Sequence, residues 1–273
     1  MSARGRRPGL PLPALLLACV AIGFFALPLV GLIWRAPWSN AWGYLTDDAA
    51  LTALRLSLVT SLCAAGLSVV FGVPLAWLLA RVDFSGRGAV RALCLLSMVL
   101  PPVVGGVALF FSLGRRGLVG QYLDEWFDIT LPFTTAGVVV AQTFVSMPFL
   151  VVTVEAALRQ LDPRLEDASR TLGGSRWYTF RRVTLPAIRP ALTAGAVLAW
   201  ARALGEFGAT ITFAGNFPGT TQTMPLAVYL SLETNPEAAI VLALLMVAVS
   251  FAVLVGLRDR WFGAATSTAG AAA

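Results

Sequence analysis

The run Thr135-Ala-Gly-Val-Val-Val-Ala-Gln-Thr-Phe-Val-Ser-Met-Pro-Phe-Leu-Val-Val-Thr-Val154 decides the fold. It carries no charge, and roughly 20 mostly apolar residues is the length a helix needs to cross the hydrocarbon of a bilayer. Five more stretches read the same way: Leu12–Ile33, Ala53–Leu79, Val90–Leu113, Ala187–Phe213 and Pro236–Leu257. Together they predict an all-α membrane protein with six transmembrane helices. Composition agrees, because 58% of the 273 residues are hydrophobic and 12% charged, against about 25% charged in a soluble domain. No core of this size hides so much apolar surface from water, so most of it faces lipid.

What the chain lacks excludes several chemistries. It has no His, hence no imidazole base, proton shuttle or imidazole metal ligand. All 20 basic residues are Arg, and a phosphate-binding P-loop needs its Lys. Cys19, Cys63 and Cys94 fall in three different expected spans. Their spacing fits neither a metal site nor a disulfide framework, and they read as small apolar fillers. No catalytic residue and no metal ligand is assigned.

The arginines orient the chain. Arg4, Arg6, Arg7, Arg81, Arg87, Arg91, Arg159, Arg164, Arg170, Arg176, Arg181, Arg182, Arg189, Arg258 and Arg260 fall on one side of the six spans. The positive-inside rule assigns that side to the cytoplasm, with both termini. The opposite side holds Arg35, Arg55, Arg115 and Arg116 with the acids Asp47, Asp48, Asp124, Glu125, Asp128, Glu233 and Glu237. This distribution accounts for the net charge of +6 without nucleic acid as a partner. The first stretch starts basic, like a signal peptide, but its apolar run of about 20 exceeds the usual 7–15, and it reads as a retained helix. No repeat, linker or soluble domain interrupts residues 1–273, which read as one membrane domain. Residues 262–273, small and polar, read as a disordered tail.

The fourth connection, Arg159 to Pro186, is the longest cytoplasmic segment. Asp162 is placed to cap a helix that Pro163 begins. Leu165, Ala168 and Leu172 supply apolar contacts, and Gly173-Gly174 stops it. A second short segment with Trp177 and Phe180 runs on to Leu185-Pro186. On chemistry alone an amphipathic helix lying on lipid headgroups fits as well.

In the fifth stretch, Arg202 and Glu206 are four apart and share a helix face. Each would cost about 2.5–3.5 kcal/mol unpaired at the bilayer centre, so both are expected to face the protein interior. The pair fits a structural lock or a pathway element that changes partners. Gly205 and Gly208 permit close helix approach. In the third stretch Pro101-Pro102 and Gly105-Gly106 interrupt the helix, either as a packing kink or as irregular backbone beside a water-filled cavity.

Two of these patterns resemble known proteins. Asp167-Ala168-Ser169, three residues, Gly173, nine residues, Val183, Thr184 and Leu185-Pro186 resemble the signature loop of bacterial ABC importer permeases. That pattern is Glu-Ala-Ala, three residues, Gly, nine residues, Ile, one residue, Leu-Pro. Asp167, Ser169 and Val183 depart from it mildly, and Glu166 lies next door. The resemblance implies a coupling helix that sits in a groove of a separate ATPase subunit. Glu166, Asp167, Ala168, Arg170, Leu172, Gly173, Leu185 and Pro186 are its expected coupling residues, with Leu172 as apolar anchor and Glu166, Asp167 and Arg170 as polar rim.

The run Gly205-Glu206-Phe207-Gly208-Ala209-Thr210, then Phe213-Ala214-Gly215-Asn216 and Pro218 to Ala227, looks most like the permeases of molybdate importers. Sulfate permeases have similar runs. The likeness covers about residues 53–257. It implies a homodimer of permeases in the cytoplasmic membrane, two ATPase subunits on which ATP and Mg act, and an extracytoplasmic oxyanion-binding protein. It implies no cofactor in this chain. Pro101, Pro102, Gly105, Gly106, Arg202, Gly205, Glu206, Gly208 and Thr210 are the expected pathway or gate residues. Because tight binding along a path would stall release, the binding protein is expected to hold selectivity. The alternatives are a sulfate, thiosulfate or tungstate permease of the same kind and, in another class, an ATP-independent secondary transporter or channel, which would usually show repeats or broken helix pairs.

Overall fold

The computed structural model describes residues 12–267, among which no strand occurs. Arg4, Arg6 and Arg7 lie outside the described residues. In chain order the helices are α1 (Leu12–Arg35), α2 (Ala41–Leu45), α3 (Asp48–Arg81), α4 (Arg87–Val99), α5 (Pro102–Leu113), α6 (Gly120–Phe127), α7 (Thr135–Gln160), α8 (Pro163–Thr171), α9 (Arg176–Thr179), α10 (Leu185–Leu204), α11 (Gly208–Phe213), α12 (Met224–Thr234) and α13 (Pro236–Ser267). A π-helical turn, Phe180–Thr184, joins α9 to α10. Of the stretch 262–273, the first residues continue α13 and residues 268–273 lie outside the described residues.

Among the described residues, five helical segments are long and apolar enough to cross a membrane: α1, α3, α7, Arg176–Leu204 and the first part of α13. A sixth span results only if the bent pair α4–α5 counts as one; bent so far, it is a broken span or a re-entrant loop. The third apolar stretch is two helices, α4 and α5, turned by 120° on each other. The cause is local. Pro101 and Pro102 together remove two backbone donors, and Leu100 takes the extended conformation that a following proline demands, φ −62°, ψ 130°. The fifth stretch also differs from one continuous span to Phe213. Its helix ends at Leu204, and after Gly205–Phe207 the short α11 begins.

The centre of the bundle is α3 against α7 and α10. Val73, Ala76 and Leu79 meet Leu150, Val151, Val154 and Leu158, with Ile188 and Ala199 closing the cluster. Lipid is as apolar as leucine, so small residues and polar contacts hold membrane helices together. Accordingly α3 turns Ser57, Thr60, Ser61, Ala64, Ser68 and Gly72 inward. A Cβ on Gly72 would stand 2.9 Å from Leu150 Cδ2, so the helices touch where glycine allows it. Ser68 Oγ lies 3.4 Å from Ser146 Oγ across the same interface. By contrast α1 buries no residue and is the most apolar of the five span-length segments.

The two ends of the bundle differ in charge. At one end three guanidiniums converge on the carbonyl of Leu79, at the C-terminus of α3: Arg87 Nε at 2.8 Å, Arg159 Nη2 at 3.2 Å and Arg91 Nη2 at 3.5 Å. Cations suit a helix C-terminus. Glu155 pairs there with both Arg91 and Arg159. At the other end Tyr44 donates to Glu237 (3.1 Å), and Thr135 donates to the carbonyl of Thr220 (2.9 Å).

Candidate functional site

Segment 160–186 lies at the arginine-rich end and is built by local rules. Asp162 accepts the N–H of Arg164 at 3.0 Å and caps α8, with Pro163 in its first turn. The helix closes by the double bond pattern of a Schellman cap. Gly174 N–H reaches the carbonyl of Ser169, and Gly173 N–H that of Arg170, both at 2.9 Å. Gly173 sits at φ +87°, where an L side chain is strained. Ser175 then caps α9 by accepting the N–H of Tyr178. The π turn follows from Pro186, whose ring would meet the carbonyl four residues back and which has no N–H to give it. The turn widens, and Leu185 N–H bonds instead to Phe180, five residues back.

The expected coupling residues do not all face the same way. Leu172 is 89% exposed and stands over an open hollow of about 750 Å3 shared with Leu165, Gly173, Tyr178 and Val183. Asp167 and Arg170 are also exposed and lie 3.8 Å apart, a surface pair worth little on its own. Ala168 and Pro186 are exposed and Leu185 is half-buried. Glu166 points the other way. It is 7% exposed, takes a 2.7 Å hydrogen bond from Thr184, and faces Arg81 Nε at 3.5 Å. Of the three residues expected at a polar rim, Asp167 and Arg170 are thus exposed and Glu166 is buried.

The second group forms at the broken helices. Arg202 Nη1 is 2.6 Å from Glu206 Oε2, and Glu206, 1% exposed, also accepts the N–H of Ala209 at 2.7 Å. The carboxylate thus serves as counter-ion to α10 and as cap to α11. Oε2 meets the guanidinium by charge rather than through a well-directed hydrogen bond. Here α11 lies on α5. A Cβ on Gly208 would meet Pro102 Cβ at 3.0 Å and Val103 N at 3.1 Å, and one on Gly106 would fall 2.7 Å from the carbonyl oxygen of Ala209. Gly105 abuts Phe144, whereas Gly205 has open space beyond Ala201 O at 3.7 Å. Pro102, Gly106, Gly208 and, through Ala209, Glu206 are therefore one contact region with Arg202 at its edge, whereas Gly105 faces α7 and Pro101 stands at the head of α5.

Thr210 is fully buried with a hydroxyl that meets no partner in the described residues, and so are Thr223 and both polar atoms of Gln142. Buried polar groups left unpaired are rare and costly, so they mark a place where water or another molecule is to be sought. Gln142 is the lone carboxamide within the uncharged stretch 135–154, a signal that the span pattern around it masks. No three His, Cys, Asp or Glu side chains gather in metal-binding geometry among the described residues.

Residues 72–264 match the family of binding-protein-dependent transport system inner membrane components. The chain belongs to that family. It is 46% identical over 243 residues to the molybdenum transport system permease protein ModB of Mycobacterium tuberculosis, covering 89% of this chain and 92% of that one. The ModB of Escherichia coli K12 is 42% identical, over 78% of this chain and 93% of its own length. The sulfate transport system permease protein CysT of Escherichia coli K12 is 36% identical, over 94% of both chains. Among solved structures, a chain of a bacterial ABC transporter involved in import of the acidic polysaccharide alginate shares the fold, with TM-score 0.71 at 20% identity over 91% of this chain and 93% of that one. As a permease of this family the chain is a multi-pass membrane protein.

Proposed function

We propose that this chain is the membrane-spanning subunit of an ABC importer that carries molybdate inward across the cytoplasmic membrane. The observation that carries the reading is Leu172, fully presented to the outside at the end of a rigidly capped helix, at the arginine-rich end of the bundle. An exposed large apolar residue on a pre-ordered helix is what a partner's pocket requires. Identity to ModB proteins over most of the chain supports molybdate as cargo.

In this reading two copies of the permease, both termini in the cytoplasm, stand on two ATPase subunits. ATP with Mg draws the ATPases together, and α8 of each copy follows. The cavity opens outward and receives the oxyanion from a docked binding protein. Hydrolysis then returns the cavity to the inside. The broken helices α4–α5 and α10–α11, joined at Gly106 and Gly208, are the elements that line and gate the path. Arg202, Gly205 and Thr210 border that contact.

Reconstitution in sealed vesicles with the ATPase and the binding protein tests this. Labelled molybdate is expected inside only with ATP and both partners. Deleting Arg164–Arg176, or replacing Gly173, should abolish ATPase assembly while the chain stays in the membrane. Import by the purified chain alone, with no nucleotide, would sink the proposal. The 36% identity to CysT supports sulfate or thiosulfate as the second cargo, and tungstate shares molybdate's geometry. Binding measurements on the cognate receptor with each oxyanion decide among them.

A further inference from the structure

Helix α8 buries one residue, and that residue is a carboxylate. Behind it lies a hollow of about 430 Å3 edged by Trp77, Arg81, Glu166, Arg170, Arg176 and Thr184. Apolar packing therefore does not seat α8 on the bundle. Its chain connections are weak points as well. Leu161 and Asp162 lead in with extended backbone, and Leu172–Ser175 lead out through the glycine turn. A nine-residue helix between two such joints would swing freely unless something fixed it to its neighbours.

Glu166 supplies the fixing. Oε2 faces Arg81 at the end of α3, and Oε1 takes the hydroxyl of Thr184 at the head of α10. Arg81 also holds the leading joint, donating from Nη2 to the carbonyl of Leu161 at 3.2 Å. Ser169 and Thr179, 3.0 Å apart, tie α8 to α9 beyond the trailing joint. Both joints are thus bridged, and the bridge centres on one buried acid.

We infer that Glu166 is the positioning residue that makes α8, α3 and the head of α10 one rigid body, so that a displacement of α8 is passed sideways into α3 through Arg81 as well as along the chain into α10. The inference rests on α8 being the helix an ATPase engages. It gives the two neighbouring acids separate tasks: Asp167 faces outward and Glu166 locks inward.

The test compares wild type with Glu166→Ala, Glu166→Gln, Thr184→Val and the exchanged pair Arg81→Glu with Glu166→Arg. Each is assembled with the ATPase and the molybdate-loaded binding protein in sealed vesicles. The readouts are ATPase retained on the permease and molybdate imported per ATP hydrolysed. Glu166→Ala is expected to keep its ATPase subunits yet lose about tenfold or more in import per ATP, within the range of ordinary coupling energies. Glu166→Gln, which keeps an acceptor for Thr184, should fall between, and the exchanged pair, which restores the charge contact but not the bonds to Thr184 and Leu161, should recover part of the import lost in Glu166→Ala. If Glu166→Ala fails to fold, Thr184→Val carries the test, with a smaller loss of import per ATP expected. A wild-type ratio in Glu166→Ala or Thr184→Val overturns the inference. So does loss of ATPase binding in Glu166→Ala where Asp167→Ala retains it. Failure of wild type to bind an ATPase would instead refute the function on which the inference rests.

Discussion

Glu166 at the arginine-rich end and Glu206 at the break of the fifth apolar stretch are both buried glutamates facing an arginine, yet they are built in opposite ways. Glu206 is satisfied within eight residues of chain, from Arg202 to Ala209. Its counter-ion comes from the helix before it and its hydrogen bond from the helix after it. Glu166 takes its counter-ion from α3 and its hydrogen bond from the turn before α10. The first arrangement can shift as a unit with the short helix it caps. The second cannot move without its neighbours. The charge in the break between helices is made self-contained, while the charge at the arginine-rich end is used as a tie between elements.

The comparison breaks most readily at Arg202. Replacing it with Ala leaves the Glu206 carboxylate buried with one hydrogen bond and no counter-ion. Removing one partner of a buried ion pair costs about 3–5 kcal/mol, a large share of any domain's stability. Arg202→Ala is expected to lower the thermal midpoint in detergent sharply, and adding Glu206→Gln should restore much of it. An unchanged midpoint for Arg202→Ala would mean that Glu206 does not depend on its neighbour's charge.

A smaller loss is expected at Gly106, where α5 meets α11. Serine or alanine there places a Cβ 1.8 Å from Thr212 Oγ1 and 2.7 Å from Ala209 O. Thr212 can turn away, but the backbone of Ala209 cannot. Overpacking of this kind costs about 1–3 kcal/mol. Gly106→Ala should therefore lower the midpoint less than Arg202→Ala. It should reduce molybdate import while leaving ATPase assembly intact, because α8 is at the other group. Equal loss of assembly would show that the two groups are not separable.

The same contrast governs what the sequence discloses. Asp162, Pro163, Gly173 and Gly174 act on atoms within five residues of themselves, so the capped helix and its turn are legible in the letters. The Arg202–Glu206 pairing is legible for the same reason, from its spacing of four. Pro101-Pro102 announces a break, but the 120° turn depends on what α5 packs against, and nothing near residue 101 names Gly208 or Thr212. The stop at Leu204 was likewise hidden, since it depends on Glu206 capping α11 rather than extending α10. Which of Glu166 and Asp167 faces inward was beyond reach, because the answer lies with Arg81 in another helix. Gln142 was legible and was passed over, as one amide in an apolar stretch that still reads as a span.

The smallest effect belongs to the pair that is neither buried nor a tie. At the end away from the arginine cluster, Arg115 Nε donates to Asp124 Oδ2 at 2.8 Å, and Thr130 donates to Oδ1 at 3.0 Å. The hydrogen bond from Arg115, followed by that from Thr130, holds the Asp124 carboxyl below the usual carboxylate range, and the same contact raises Arg115. A lowered acid binds its proton more weakly folded than unfolded, so the contact stabilises fully above the ordinary Asp value of about 3.9 and fades as pH falls through it towards the folded value. Between pH 7 and pH 5 nothing should change. Below about pH 4 the amides of residues 115–130 should lose hydrogen-exchange protection, after correction for intrinsic rates, and Asp124→Asn should abolish that acid step. An acid step that persisted in Asp124→Asn would mean that this surface pair does not hold the segment's protection.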